Sequence, residues 1–91
     1  MDWNNEEECL KSVRRWGFTL CYVEKQTPEI CIVAVSQNGY NLKYVEEQTP
    51  EICLTAMNEN GLALGYVKEQ TPEIILAAIK QNPEAVKYTR I

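Results

Sequence analysis

The pentapeptide QTPEI occurs three times, at residues 26–30, 48–52 and 70–74, so the copies start 22 residues apart. The similarity extends well beyond the pentapeptide. Aligned at this period, the units are LCYVEKQTPEICIVAVSQNGYN (20–41), LKYVEEQTPEICLTAMNENGLA (42–63) and LGYVKEQTPEIILAAIKQNPEA (64–85). A short, nearly exact period in a chain of 91 residues predicts a repeat architecture in which each unit packs on its neighbours.

The residues on either side of the three full units keep the same register. Residues 1–19 align as a degenerate unit, and residues 86–91 begin a further, partial unit. The degenerate unit is polar where the full units, apart from Thr55, are apolar or small, with Glu8, Lys11 and Ser12 in the places of Ile30, Val33 and Ala34. Because a terminal repeat needs one face that water can wet, we expect residues 1–19 to be the N-terminal cap of a single repeat domain over residues 1–91.

Each unit begins with the signals of a helix start. Thr27 stands at the N-cap position, Pro28 at the first helical position, and Glu29 in the first turn, where a negative charge suits the helix dipole. The helix is predicted to run to about Gln37.

The second half of each unit predicts a turn and a short helix. We expect Asn38-Gly39 to end the long helix with a left-handed glycine. The segment YNLKYVEE (40–47) is predicted to form a short α or 3₁₀ helix that leads back to the next QTP. The predicted fold is therefore all-α: a short right-handed α-solenoid of 22-residue units.

Aligned positions indicate which faces are buried. Two positions stay apolar in every unit and mark a core stripe; they hold Leu10, Ile32, Leu54 and Leu76, and Val13, Val35, Met57 and Ile79. A second stripe, at the Ile30, Val33 and Ala34 positions, is expected to pack on the preceding unit. Trp3 and Trp16 are expected to cover the edge of the cap.

The C-terminal end lacks a polar capping unit. Ile75, Ala78 and Ile79 stay apolar there, and Pro83 replaces the turn glycine, which predicts an altered last turn. Since an open apolar end finds a partner, we expect self-association of two chains through this end. The alternatives are that the short segment after Pro83 closes the stack, or that the chain was cut from a longer array.

The residue types give little support for catalysis, a metal or a cofactor. The chain has no histidine and no C-x-x-C pair, so neither a zinc site nor a nucleophilic triad can be assembled. Cys9, Cys31 and Cys53 share one aligned position with Ile75 and are expected to be buried apolar residues, whereas Cys21 is expected to be exposed. We expect a protein that is not an enzyme and binds no cofactor.

Charge and hydropathy exclude two classes of partner. The net charge of −4 and the pI near 4.8 disfavour binding to nucleic acid, which needs clustered lysine and arginine. No apolar run approaches the ~18 residues of a membrane span, and the acidic start MDWNNEEE does not resemble a signal peptide. The expected location is the cytoplasm.

Two polar ladders remain as candidates for binding. The first holds Tyr22, Tyr44, Tyr66 and Tyr88, which could form an aromatic strip for a peptide or a base but are better explained as a stack between units, with hydroxyls that reach backbone groups or water. The second holds Gln26, Gln48 and Gln70, which are expected to bond backbone groups of neighbouring units. Specificity for a partner is expected on the exposed side of the long helices, which includes Gln37, Glu59 and Gln81.

The pattern L-x-Y-V-x-x-Q-T-P-E-I-C-L-x-A-x-x-x-N-G, seen at residues 42–61, resembles a family of uncharacterised α-helical repeats. Such units are typical of longer arrays in large DNA viruses, protists and some intracellular bacteria. The resemblance covers roughly residues 5–91. The family is catalogued as a domain of unknown function, so the resemblance implies a helical repeat and supplies no active site.

Two classes of function are therefore open. The favoured one is an interaction module or small scaffold that binds another protein or a second copy of itself. The alternative is a structural piece of a longer array, or a viral or effector accessory protein that acts by sequestration.

Overall fold

Four α-helices alternate with four 3₁₀ helices over residues 2–90, the part of the chain that the computed structural model describes. The α-helices are α1 Glu6–Arg15, α2 Pro28–Gln37, α3 Pro50–Glu59 and α4 Pro72–Gln81. The 3₁₀ helices are η1 Gly17–Tyr22, η2 Gly39–Tyr44, η3 Gly61–Tyr66 and η4 Pro83–Tyr88. The predicted all-α fold of long and short helices is confirmed, and the short helix is of the 3₁₀ type.

The helix pairs stack into an elongated molecule of 40 × 20 × 16 Å. Each α-helix packs on the α-helices before and after it, and each 3₁₀ helix does the same with its own neighbours. Met1 and Ile91, which open the predicted cap and close the predicted partial unit, lie outside the described residues.

The helices begin where the sequence predicts. The Thr27 hydroxyl accepts a hydrogen bond from Ile30 N at 3.2 Å, and Thr49 and Thr71 cap α3 and α4 in the same way. In the degenerate unit the Asn5 side chain replaces threonine and accepts from Glu8 N at 3.0 Å. The cap residue thus changes while the position of the helix start is kept.

The helix ends differ from the prediction. No glycine among residues 2–90 has a positive φ, so the left-handed end expected at Asn38-Gly39 is wrong. Asn38 is extended, with φ −157° and ψ 115°, and Gly39 begins η2. The Asn38 side chain caps η2 by accepting from Tyr40 N at 3.0 Å. One extended asparagine therefore connects two right-handed helices.

The turn glycines are explained by close packing between units. A Cβ on Gly39 would lie 2.6 Å from Ala56 O of the next α-helix, and a Cβ on Gly61 would overlap Ala78 O. Glycine lets the backbone of each α-helix rest against the turn of the preceding unit. Pro83 fills the same position in the last unit, where the expectation of an altered turn is wrong: η4 keeps the length and the asparagine cap of the other 3₁₀ helices.

A ladder of glutamine side chains joins successive units on the side where the α-helices begin. Gln48 Nε2 donates to Tyr66 O at 2.8 Å, and Gln48 Oε1 accepts from Lys68 N at 2.9 Å. Gln26 and Gln70 make the same pair of bonds to the units that follow them. The predicted role of this ladder is confirmed.

The core lies between the α-helices and the 3₁₀ helices. Its largest fully buried side chains include Leu20, Leu42 and Leu64 of the 3₁₀ helices, together with Ile30 and Ile52 of the α-helices. The stripe expected to face the preceding unit is buried at Ile30 and Ala34. In the other predicted stripe, the aligned position of Val13 is buried in α1, α2 and α3. The aligned position of Leu10 lies at the margin of the core: its residue is half-buried in α1 to α3 and exposed in α4.

Gly61→Ala should destabilise the protein strongly, because the new methyl group would overlap the backbone of α4. We expect a loss of about 2 kcal/mol in the free energy of unfolding, measured by urea denaturation. Gly65→Ala is the matched control, since a Cβ there lies 3.6 Å from the Tyr88 ring, an ordinary contact. Its effect should stay within about 1 kcal/mol. Equal losses for the two variants would contradict the close-packing explanation.

Candidate functional site

Most of the exposed large hydrophobic side chains lie on one side of the molecule. Among the described residues, five of the eight are aromatic rings on the 3₁₀ helices, and a sixth ring, Trp16, directly precedes η1; the other two, Leu76 and Val86, lie in the last unit. We call the outer surface of η1 to η4 with Trp16 the aromatic face; its exposed rings are Trp16, Phe18, Tyr22, Tyr40, Tyr66 and Tyr88. A concentration of exposed rings on one side is typical of a binding surface.

The rings of this face pack on one another across units. Tyr40 meets Tyr66 edge-on with ring centroids 6.2 Å apart, which links η2 to η3. At the N-terminal end, Trp3 packs against Tyr22 at 5.5 Å. Contacts between rings fix their orientation and lower the entropic cost of holding them still in a complex.

The tyrosine ladder does not form the expected stack between units. Within residues 2–90, no ring contact joins one of these tyrosines to the next, and none of their hydroxyls bonds a protein group. Tyr22, Tyr66 and Tyr88 are exposed, and Tyr44 is half-buried. These residues join the units through their backbone instead: the carbonyls of Tyr44, Tyr66 and Tyr88 accept hydrogen bonds from the side-chain amides of the glutamine ladder.

Charge is sparse on the aromatic face. The four 3₁₀ helices contain only three of the charged residues of the chain, Lys43, Glu84 and Lys87. The two lysines lie over neighbouring rings, Lys43 Nζ 5.1 Å from the Tyr44 centroid and Lys87 Nζ 5.9 Å from that of Tyr88. An aromatic surface depleted in charge has the composition of the centre of a protein interface.

The sequence pattern did not predict that Phe18, Tyr40 and Trp16 contribute exposed rings to this face. Phe18 and Tyr40 share an aligned position with Leu62 and Glu84. A position that accepts both phenylalanine and glutamate faces solvent, and that variation was the available signal. Trp16 was expected to cover the cap but is exposed, with the Arg15 guanidinium 5.6 Å from its ring. Trp3 is half-buried and packs against the core.

The residues expected to give specificity on the long helices have a structural role. Gln37, Glu59 and Gln81 each use Oε1 to accept from the turn N–H of the preceding unit, at Gly17, Gly39 and Gly61, over 2.7 to 2.9 Å. They form a second ladder, opposite the first. Their carbonyl or carboxylate groups are engaged within the chain and are poor candidates for contacts with a partner.

The residues expected at an open C-terminal end differ in how far they are buried. Ala78 is fully buried against the preceding unit, so its assignment to an exposed end is wrong. Ile75 and Ile79 are half-buried. The exposed apolar residues of this end are instead Leu76, at 67%, and Val86, at 60%.

Three of the four cysteines are buried, as their alignment with Ile75 predicts. Cys9, Cys31 and Cys53 are at most 3% exposed. Burial raises the pKa of the Cys31 thiol to about 11, with a smaller contribution from Glu46, and burial likewise raises the pKa of Cys53. Burial, with the charges of Asp2, Glu8 and Glu6, raises the pKa of Cys9. Cys21 is exposed on η1.

A cavity of about 310 Å³ lies between the second and third QTP loops. It is lined by Gln48, Thr49, Pro50, Cys53, Lys68, Glu69, Thr71 and Ile74. The Gln48 amide and the Thr49 hydroxyl already bond backbone groups, and the Cys53 thiol donates to Gln48 Oε1 at 3.5 Å. The Gln48 amide thus joins two units, and the Thr49 hydroxyl caps α3.

Residues 49–90 match the family described as Domain of unknown function (DUF4116). The match runs from the cap of α3 through η4, just under half of the chain, and confirms over those residues the resemblance found in the sequence. The internal repeat carries the same unit back through residues 20–48. Comparison with curated proteins and with solved structures finds no match to this chain. None of the helices in residues 2–90 is long and apolar enough to cross a membrane.

Cys21 should be the one thiol that reacts quickly in the folded protein. Burial and raised pKa values keep the other three as protected neutral thiols, and the thiolate is the reactive form. With a disulfide reagent at pH 8, we expect one fast thiol per chain, and all four only after unfolding. Cys21→Ser should abolish the fast phase. A second fast thiol in the native protein, or a fast phase that persists in Cys21→Ser, would show that the buried positions are open.

Proposed function

We propose that this chain is a non-catalytic interaction module that binds another protein through the aromatic face. The observation that carries the proposal is the collection of six exposed aromatic rings on a face with three charged residues. Aromatic side chains are over-represented among the residues that dominate binding energy, and charged residues are depleted at the centre of interfaces.

The residue inventory supports a role without catalysis. The chain has no histidine, and the thiols of Cys9, Cys31 and Cys53 are buried with raised pKa values. The acids at the helix starts, such as Glu29, Glu51 and Glu73, lie in first turns, where the helix dipole accounts for them. An accessory protein that sequesters its partner would use the same face.

A second candidate is a structural piece of a longer array. It is favoured by the open C-terminal end, where Leu76 and Val86 are exposed although the equivalent residues inside the stack are covered to a greater extent. In that role the end of the stack, and not the aromatic face, would carry the essential contact.

Site-directed photo-crosslinking in the cells of origin tests the first candidate. A photoreactive phenylalanine analogue at Tyr40 should yield a discrete adduct with a partner protein. The same analogue at Asn58, exposed on α3, is the matched control and should not. A structural role confined to the stack ends predicts no adduct specific to position 40.

Surface variants then measure the contribution of the rings to binding. Phe18→Ser with Tyr40→Ser should weaken binding of the crosslinked partner by at least about tenfold, since each ring contributes ~1 kcal/mol or more at the centre of an interface. Thermal unfolding should show at most a modest loss of stability, since Phe18 is exposed and Tyr40 gives up one edge-on contact with Tyr66. Equal adducts from positions 40 and 58, or unchanged affinity in the double variant, would contradict the proposal.

A further inference from the structure

The C-terminal end of the stack exposes residues whose equivalents are buried in every other unit. Val86 is 60% exposed, whereas Leu20, Leu42 and Leu64 at the same aligned position are fully buried. Ile79 is half-buried, although its equivalents Val13, Val35 and Met57 are fully buried. We call Ile75, Leu76, Ile79 and Val86 the C-terminal face.

The C-terminal face continues an interface that already exists three times within the chain. At each internal junction, the α-helix of the next unit packs on the α-helix and the 3₁₀ helix before it. The C-terminal face offers the same positions on α4 and η4. Its shape and apolar character therefore suit an α-helix lying across it.

The N-terminal face of another copy cannot supply that helix. In the full units, the positions that pack on the preceding unit hold Ile30 and Ala34, which are fully buried. In α1 the corresponding residues are Glu8 and Ser12, and Lys11 lies beside them. Head-to-tail stacking would remove the exposed charges of Glu8 and Lys11 from water, which is costly when they have no partner.

Charge on α4 favours a second C-terminal face instead. Glu73 and Lys80 are exposed and lie about equally far from the middle of α4, seven residues apart and so on the same side of the helix. When two copies of α4 pack antiparallel about a two-fold axis, Glu73 comes beside Lys80 of the partner subunit, and the contact occurs twice. Antiparallel packing also brings opposite ends of the two helix dipoles together.

The lysine is specific to this helix among the full units. The position of Lys80 holds Ser36 in α2 and Asn58 in α3. In the same helix, the aligned position that holds Cys31 in α2 and Cys53 in α3 holds the larger apolar Ile75. Both changes fall on the one α-helix that no following unit covers in residues 2–90.

We propose that this protein forms a two-fold homodimer in which the C-terminal faces pack together, with α4 antiparallel to α4 of the second copy. The contact uses Ile75, Ile79 and Val86, whose equivalents are buried at the internal junctions, at its centre and Leu76 at its margin. Ala78 faces the interior and takes no part. The proposal does not depend on the aromatic face, so the two proposed interfaces can fail separately.

Sedimentation equilibrium of the whole chain tests the dimer. The mass should rise from 10.5 kDa towards twice that value with increasing concentration. Leu76→Glu should raise the dissociation constant by at least about tenfold, because a charge would enter the apolar contact. Phe18→Glu, at an exposed site on the aromatic face, is the matched control and should leave the constant unchanged. A wild-type mass of 10.5 kDa at millimolar concentration, or loss of the dimer in Phe18→Glu alone, would overturn the proposal.

A charge exchange tests the antiparallel geometry. At low ionic strength, Glu73→Lys and Lys80→Glu should each weaken the dimer by roughly three- to tenfold, because each creates two like-charge contacts at the rim. The double variant restores opposite charges and should return to within about twofold of the wild type. Circular dichroism confirms folding of each variant. A double variant no tighter than the single ones would exclude the antiparallel pairing.

Discussion

Neither helix of a unit can hold itself together. A ten-residue α-helix is marginal in water and a six-residue 3₁₀ helix more so, so contact between successive units has to stabilise both. The contact is made at two levels. Apolar side chains such as Ile52 and Leu42 fill the interior, and side-chain ladders at both edges satisfy the backbone of the neighbouring unit. Gln48 does this where the α-helices begin, and Glu59 where they end.

This dependence on neighbours explains what could be predicted from the sequence. Signals contained in one unit were sufficient for the α-helices: Thr27 and Pro28 mark the start of α2, and its end at Gln37 followed from the Asn-Gly pair. The burial of Cys31 followed from its exchange with Ile75. The right-handed sense of the solenoid stays a prediction.

The features that could not be predicted involve partners about 20 residues away. The role of Gly61 depends on the position of Ala78 O, and that of Glu59 on the N–H of Gly39. A pattern within one unit contains neither contact, so it predicts a left-handed turn at the glycine and a role in specificity for the glutamate. The aromatic face was missed in part for the same reason, because the contact between Tyr40 and Tyr66 crosses a junction.

The two proposed interfaces lie on different parts of the stack. The aromatic face follows the four 3₁₀ helices along the length of the molecule, whereas the C-terminal face closes one end. A dimer joined at the C-terminal faces would therefore leave both aromatic faces free. Such a particle has two equivalent binding surfaces, and a partner with two matching sites would be held by avidity.

The ladders that join the units end on main-chain atoms: Gln48 bonds the carbonyl of Tyr66 and the N–H of Lys68, and Glu59 bonds the N–H of Gly39. Main-chain groups are the same whatever side chains a neighbour carries. An in-frame duplication or deletion of 22 codons would therefore create a junction with the same hydrogen bonds as those already present. A gene of this kind can change the length of its product by recombination without a new interior having to evolve, while the outward-facing residues of each copy diverge independently.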